Sequence, residues 1–208
     1  MKILNISIRV KDTSFYSETE ELRKMGHDID LTECTSDELD ADDDLFKSLI
    51  GTISKTDFVI IRVSGDVSIF KKSQIFLEEI QNAETSLLIV NNILEKSFQY
   101  RNLFLQGDDD YTLLTRYAAL GGSSNNKGIL IWALNTFENK NLDLPEPIIP
   151  PAQGVYYPGR KSTDILEYIH ELDKTKPVIG LLLSQRKWNS GKLDHIDRLI
   201  HAIEDKGA

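Results

Sequence analysis

The sequence predicts an α/β protein: a flavodoxin-like open parallel sheet with flanking helices, followed by the start of a second α/β domain. Three observations carry this expectation. Residues 2–91 alternate strand-like with helix-like stretches. The runs Asp57–Val63 (DFVIIRV) and Ser86–Asn91 (SLLIVN) are almost continuously apolar, as parallel strands covered by helices on both faces are. A third such run, Pro177–Leu183 (PVIGLLL), follows late in the chain. The β-α-β rhythm implies right-handed crossovers within one sheet.

In chain order, Lys2–Val10 is β-branched and apolar and reads as the first strand. Ser17–Met25 reads as a helix stopped by Gly26 in the C′ position. His27–Cys34 is the second strand. Asp44–Ile53 is the second helix, with Leu45, Leu49 and Ile53 on one face. The third strand, Asp57–Val63, leads to a helix over Ile69–Ile80 that supplies Phe70, Phe76, Leu77 and Ile80, and Ser86–Asn91 is the fourth strand. Asp108–Asp110 then open an apolar periodic stretch ending at Leu120. Gly121-Gly122-Ser123-Ser124-Asn125 breaks it, with Ser123 or Ser124 as the cap of a helix carrying Leu130, Ala133, Leu134 and Phe137.

Pro145, Pro147, Pro150, Pro151 and Pro158 exclude regular helix or central strand from Leu144–Pro158. That stretch is an extended connector, and it divides the chain into an N-terminal α/β domain (1–143), a proline-rich connector (144–163) and the beginning of a second α/β domain (164–208). There, Asp164–Leu172 is a short helix, Pro177–Leu183 a buried parallel strand, and Leu193–Ile203 an amphipathic helix with Leu193, Ile196, Leu199, Ile200 and Ile203 at helical spacing and Gly207 at C′. A strand-helix unit ending in glycine ordinarily feeds another parallel strand, so the expectation is the N-terminal part of a longer polypeptide.

Of the 208 residues, 40% are hydrophobic and 27% charged, enough to bury a core. A net charge of -9 without a dense Lys/Arg cluster argues against nucleic acid as a partner. Cys34, the single cysteine, rules out an intrachain disulfide framework and points to a reducing compartment, the cytoplasm by default. With no histidine near it in sequence, it reads as a small residue at a strand end rather than a reactive thiol. No secretory signal is visible, and no run approaches the ~18 apolar residues of a membrane span.

The sequence has no G-x-G-x-x-G, Walker A, H-E-x-x-H or G-x-S-x-G motif. The segment after the first strand, Lys11-Asp12-Thr13-Ser14, lacks a glycine to wrap a flavin phosphate. Asp12 and Asp66 sit where a phospho-aspartate receiver has acids, but its acidic pair is missing. The acid runs at Asp40, Asp42–Asp44 and Asp108–Asp110 each precede a helix; they read as caps and dipole partners, with a metal site as the sharper alternative. His27 falls in a turn. His195 and His201, six apart, do not share a helix face and read as solvated, so no metal ligand set is expected. The loop 184–191 follows the carboxyl end of the late strand, where open α/β sheets bind ligands. Arg186, Lys187, Trp188, Asn189 and Gly191 there suit a flat aromatic ligand with carboxylates; the alternative is a surface loop with Trp188 packed as an anchor.

Three segments in order, Arg116–Asn126 (RYAALGGSSNN), Pro150–Gly159 (PPAQGVYYPG) and Pro177–Gly207, resemble the large subunits of the cobaltochelatase CobN and magnesium chelatase H family. Gly121, Gly122 and Asn125 match its helix break, Tyr157 and Pro158 its aromatic-Pro element, and Trp188, Ser190 and Gly191 its loop. Gln185-Arg186-Lys187 departs from the Arg-Ser-His run that many relatives have before the tryptophan. The resemblance implies an N-terminal region of a tetrapyrrole-binding subunit of an ATP-dependent chelatase. Such a subunit inserts cobalt or magnesium into a corrin or porphyrin for a cobalamin- or chlorophyll-type cofactor. ATP would be hydrolysed on separate AAA+ partner subunits, and the remaining C-terminal part of the same subunit would complete the catalytic cavity. These residues alone are not expected to insert metal, and none is assigned a catalytic role. The alternative is a free-standing flavodoxin-like binding or interaction module without catalysis.

Overall fold

The computed structural model describes residues 1–9, 14–91, 94–162, 164–173, 175–184, 187–188 and 193–207. Four parallel strands, β1 (Lys2–Ile8), β2 (Asp30–Thr35), β3 (Phe58–Val63) and β4 (Ser86–Asn91), form one sheet in the order β2-β1-β3-β4. Pairings such as Ile6↔Cys34, Ile6↔Ile61 and Ile61↔Ile89 fix the register. The period-2 alternation of strands sends Ile3, Phe58, Ile60 and Leu88 into one core and Leu4, Ile6, Val59, Ile61, Leu87 and Ile89 into the other.

Helix α1 (Ser14–Lys24) and two long helices, α6 (Asp108–Leu120) and α7 (Ser123–Phe137), cover the first face. The other face lies under α2 (Ser36–Ala41), α3 (Asp43–Ile50) and α4 (Ser73–Asn82); α5 (Leu94–Phe98) follows β4. On the first face Phe58, Phe104, Tyr111, Trp132 and Phe137 form a continuous aromatic cluster, with Trp132 stacked on Phe104 at 5.7 Å. The Trp132 indole N–H donates to Asp110 Oδ1 at 2.8 Å, so the ring is buried with its polar atom satisfied. At the start of the chain, the Met1 ammonium pairs with Glu138 at 2.7 Å and donates to the Asp28 carbonyl, tying β1 to the end of α7.

Several expectations change in detail. The second helix, expected over Asp44–Ile53, is α3 (Asp43–Ile50), and a short helix that the sequence reading missed, α2, precedes it. Thr35 and Glu38 form a capping box that starts α2, and Asp42 restarts the chain as α3 by accepting from the N–H groups of Asp44 and Leu45. Phe46 and Leu49 are the buried residues of α3, whereas Leu45 is exposed. The acid runs are structural: Asp40 accepts from the N–H groups of Lys71 and Lys72, Asp43 pairs with Lys72 at 2.6 Å, and Asp108 pairs with Arg101. Among the described residues no three His, Cys, Asp or Glu side chains converge as metal ligands. Asp66 caps a 3-10 turn through Ser68.

Neither Ser123 nor Ser124 caps α7; Gly122 does, and Gly121 and Gly122 take φ of 63° and 85°, a region glycine enters without strain. The polar work at this junction falls to Asn125. Its amide donates to the carbonyls of Gly121 (2.7 Å) and Ile148 (2.8 Å) and accepts from Ile148 N–H (2.8 Å). Asn135 holds Leu142 in the same two-way fashion, and the Tyr117 hydroxyl donates to the Pro145 carbonyl. The proline-rich stretch is therefore strapped along α6 and α7.

Beyond it, a two-stranded antiparallel hairpin, β5 (Val155–Tyr157) and β6 (Arg160–Ser162), precedes α8 (Ile165–Glu171), and α9 (Asp194–Glu204) follows later. The expected buried strand over Pro177–Leu183 is not formed: the segment is extended, has no ladder partner among the described residues, and leaves Val178, Ile179 and Leu182 exposed. A strand needs a neighbour for its N–H and C=O groups, and none of the described residues supplies one.

Candidate functional site

The apolar side chains of residues 154–204 converge on one groove of about 560 Å³. Its walls come from four elements. The hairpin contributes Tyr156 and Tyr157, α8 contributes Tyr168 and Ile169, and the extended segment 177–183 runs along a third side. Helix α9 presents Ile196, Ile200 and Ile203, spaced to share one face. Its other apolar residues separate: Leu193, just before the helix, is buried, and Leu199 is exposed.

Polar straps hold these walls at fixed spacing. The Tyr156 hydroxyl donates to Asp197 at 2.5 Å and the Tyr157 hydroxyl to Glu204 at 2.7 Å, two contacts seven residues apart that clamp the hairpin along α9. Arg160 ion-pairs with Glu171 and lies 5.8 Å over the Tyr168 ring, which docks α8 onto the hairpin. The hydrogen bond to Asp197 pushes the Tyr156 phenol up to about 12, and that to Glu204 raises Tyr157. Arg160 in turn lowers Glu171.

Of the residues singled out from the sequence, Trp188 lines the groove and is half-buried. Lys187 is exposed beside it, and both backbone N–H groups donate to the Ser184 carbonyl, at 3.0 and 3.2 Å. Arg186, Asn189 and Gly191 lie outside the described residues. His195 is exposed, and His201 faces Glu204 at 3.4 Å. Cys34 lies in β2, its thiol pushed up to about 12 by burial and by Glu38 and Glu33, so it holds its proton at neutral pH. Tyr157 entered the sequence reading only through the aromatic-Pro element, and Tyr156, Asp197 and Glu204 escaped it; the available signal was an aromatic pair, Tyr156-Tyr157, ahead of a helix carrying acids at 197 and 204.

Chemically, the groove offers apolar and aromatic surface with Asp173, Lys176 and Glu204 among its lining. Asp197 and Glu204 are engaged by phenols rather than poised for proton transfer. The arrangement suits holding a flat apolar body and, among the described residues, supplies no nucleophile-base pair.

Comparison with known proteins bears on this half of the chain. The family model described as CobN/Magnesium Chelatase matches residues 115–208, which contain the helix break, the straps and the whole groove. An uncharacterized protein of Methanocaldococcus jannaschii, MJ0908, is 27% identical over 204 residues, 95% of this chain and 16% of that protein. Among solved structures, the catalytic subunit of cobaltochelatase from Mycobacterium tuberculosis superposes with a TM-score of 0.58 at 15% identity, covering 99% of this chain and 15% of that one. The chain thus spans about one-sixth of the length of the relatives it matches. No described helix is long and apolar enough to cross a membrane. The chain has an α/β fold shared with a part of the cobaltochelatase catalytic subunit, and it resembles the CobN/magnesium chelatase family.

Proposed function

We propose that this chain works as part of the large subunit of a metal chelatase, with the groove of residues 154–204 receiving one face or edge of a tetrapyrrole ring. The observation that carries this reading is the coincidence of the CobN/Magnesium Chelatase match with the aromatic groove: residues 115–208 contain every wall of it. In this reading cobalt or magnesium is the inserted substrate, and ATP is hydrolysed on separate AAA+ partner subunits. Proton removal from the ring nitrogens falls to groups outside this groove. The loop residues Arg186, Lys187, Asn189 and Gly191 flank Trp188 in sequence and are proposed to meet the ring's carboxylates.

The two tryptophans allow a direct test. Trp188 lines the groove, whereas Trp132 is buried in the aromatic cluster of the sheet domain. Titrating the chain with a porphyrin and with a corrin carboxylate is expected to quench Trp188 emission saturably at micromolar concentrations. Trp188→Phe should abolish that component while the Trp132 emission persists. Absence of saturable quenching with either ring would reject the groove as a tetrapyrrole site.

A further inference from the structure

Residues 155–207 have the apolar pattern of a packed domain but little core of their own. Leu193 is the only apolar side chain buried among the described residues of that stretch; the other buried apolar side chains all lie between Met1 and Leu134. Half of the large apolar side chains that the described residues leave exposed fall within residues 165–199, among them Leu166 at 70% and Val178 at 63%. Apolar exposure so concentrated marks a face that another surface covers.

The segment 177–183 specifies the form of that cover. Along an extended chain alternate side chains point to opposite faces, so Pro177, Ile179, Leu181 and Leu183 form one set and Val178, Gly180 and Leu182 the other. Neither set holds a polar or charged side chain. That is the pattern of β3 and β4, parallel strands covered on both faces, and not of a strand with one face in water. The backbone is open as well: no N–H of residues 178–183 donates to a carbonyl among the described residues. Helix α9 comes next in the chain and lines the same groove through Ile196, Ile200 and Ile203. A strand followed by an amphipathic helix is the first half of a parallel β-α-β unit, which closes on a second parallel strand.

We propose that the edge of residues 177–183 takes a parallel, apolar β-strand supplied by the rest of a large subunit to which this chain belongs. Pairing would satisfy the free backbone groups of 178–183 and bring the layer that covers Val178 and Leu182. Length favours this source. The matched part is 16% of MJ0908 and 15% of the cobaltochelatase catalytic subunit, so each carries about five-sixths of its length outside it. A second copy of this chain fits less well, because strand edges joined across a two-fold axis ordinarily run antiparallel, whereas the doubly apolar segment and its following helix belong to parallel pairing. The inference rests on the reading of the chain as part of a large subunit, and not on what the groove binds.

Hydrogen exchange tests it on three molecules: this chain, whole MJ0908, and the 204-residue part of MJ0908 that matches this chain. In this chain the amides of residues 178–183 are expected to exchange within about tenfold of free-peptide rates, and the aligned amides of the isolated MJ0908 part should do the same. In whole MJ0908 those aligned amides should slow by at least about a hundredfold. Free-peptide exchange at that segment of whole MJ0908 would overturn the proposal. Slow exchange in this chain by itself would also overturn it, with analytical ultracentrifugation then telling a second copy from a partner within the same molecule. No ring is present in these measurements, so a failed Trp188 titration and a failed exchange experiment point to different errors: the first to the groove as a tetrapyrrole site, the second to the strand partner.

Discussion

Residues 58–63 and 177–183 are nearly interchangeable as text: FVIIRV and PVIGLLL are both short apolar runs rich in branched side chains. In the first, Phe58, Val59, Ile60 and Ile61 are completely buried; in the second, Leu182 is completely exposed. The difference lies in what stands beside them. Residues 58–63 have β1 on one side, β4 on the other, and helices over both faces. Residues 177–183 have a groove along one side and no ladder partner among the described residues. Composition makes a segment eligible to be a central parallel strand; neighbours that take its backbone groups make it one.

That contrast can be broken by mutation. Phe58→Ala deletes the centre of the aromatic cluster and should cost about 3–5 kcal/mol of unfolding free energy, whereas Leu182→Ala should stay within about 0.5 kcal/mol. Denaturant melts of the two variants check this, and a large loss in Leu182→Ala would show that residues 177–183 belong to the cooperative core. The next largest effect is expected at the strap between the two regions. Asn125→Ala removes three hydrogen bonds, including the one that satisfies Ile148 N–H, and should cost about 1–3 kcal/mol. Limited proteolysis should then cut the proline-rich stretch near residue 148 faster than in the parent chain.

The smallest effect sharpens the groove side alone. The Tyr156 phenol ordinarily loses its proton near 10, and its bond to Asp197 raises this to about 12. The folded state therefore favours the protonated form. The stabilisation is complete below about pH 10 and is lost as pH rises through about 12. Trp188 emission should change over that interval, and Tyr156→Phe should remove the step attributable to this contact without altering the melt of the sheet domain.

The sheet was legible because its strands announce themselves twice, by apolar continuity and by alternation with helical periods. Gly26 and Gly121-Gly122 were likewise readable, since a chain turning at positive φ selects glycine. Less legible was anything set by long-range polar pairing. Asn125 reads as a capping residue, but its partner at Ile148 lies 23 positions away across a proline-rich stretch. The groove was half visible: Trp188 and the stripe Ile196, Ile200, Ile203 stood out, but Tyr156 and Tyr157 find Asp197 and Glu204 only once hairpin and helix are side by side. The acid runs at 40 and 42–44 read first as caps, and Asp42 and Asp40 do take backbone N–H groups, but which N–H groups they face, those of Lys71 and Lys72 in the case of Asp40, was not legible.

The pairing of the Met1 ammonium with Glu138 has a practical consequence for anyone handling this protein. The bond to Glu138 depends on a free, charged α-amine, and Glu138 is lowered by it. A purification tag, an N-terminal acetyl group or a fluorophore attached through the α-amine would replace that cation with a neutral amide and push bulk into the space between β1 and the end of α7. Labels and affinity handles are better placed on exposed side chains elsewhere, and comparing the melts of a chain with a blocked and a free Met1 amine would measure what the pairing contributes.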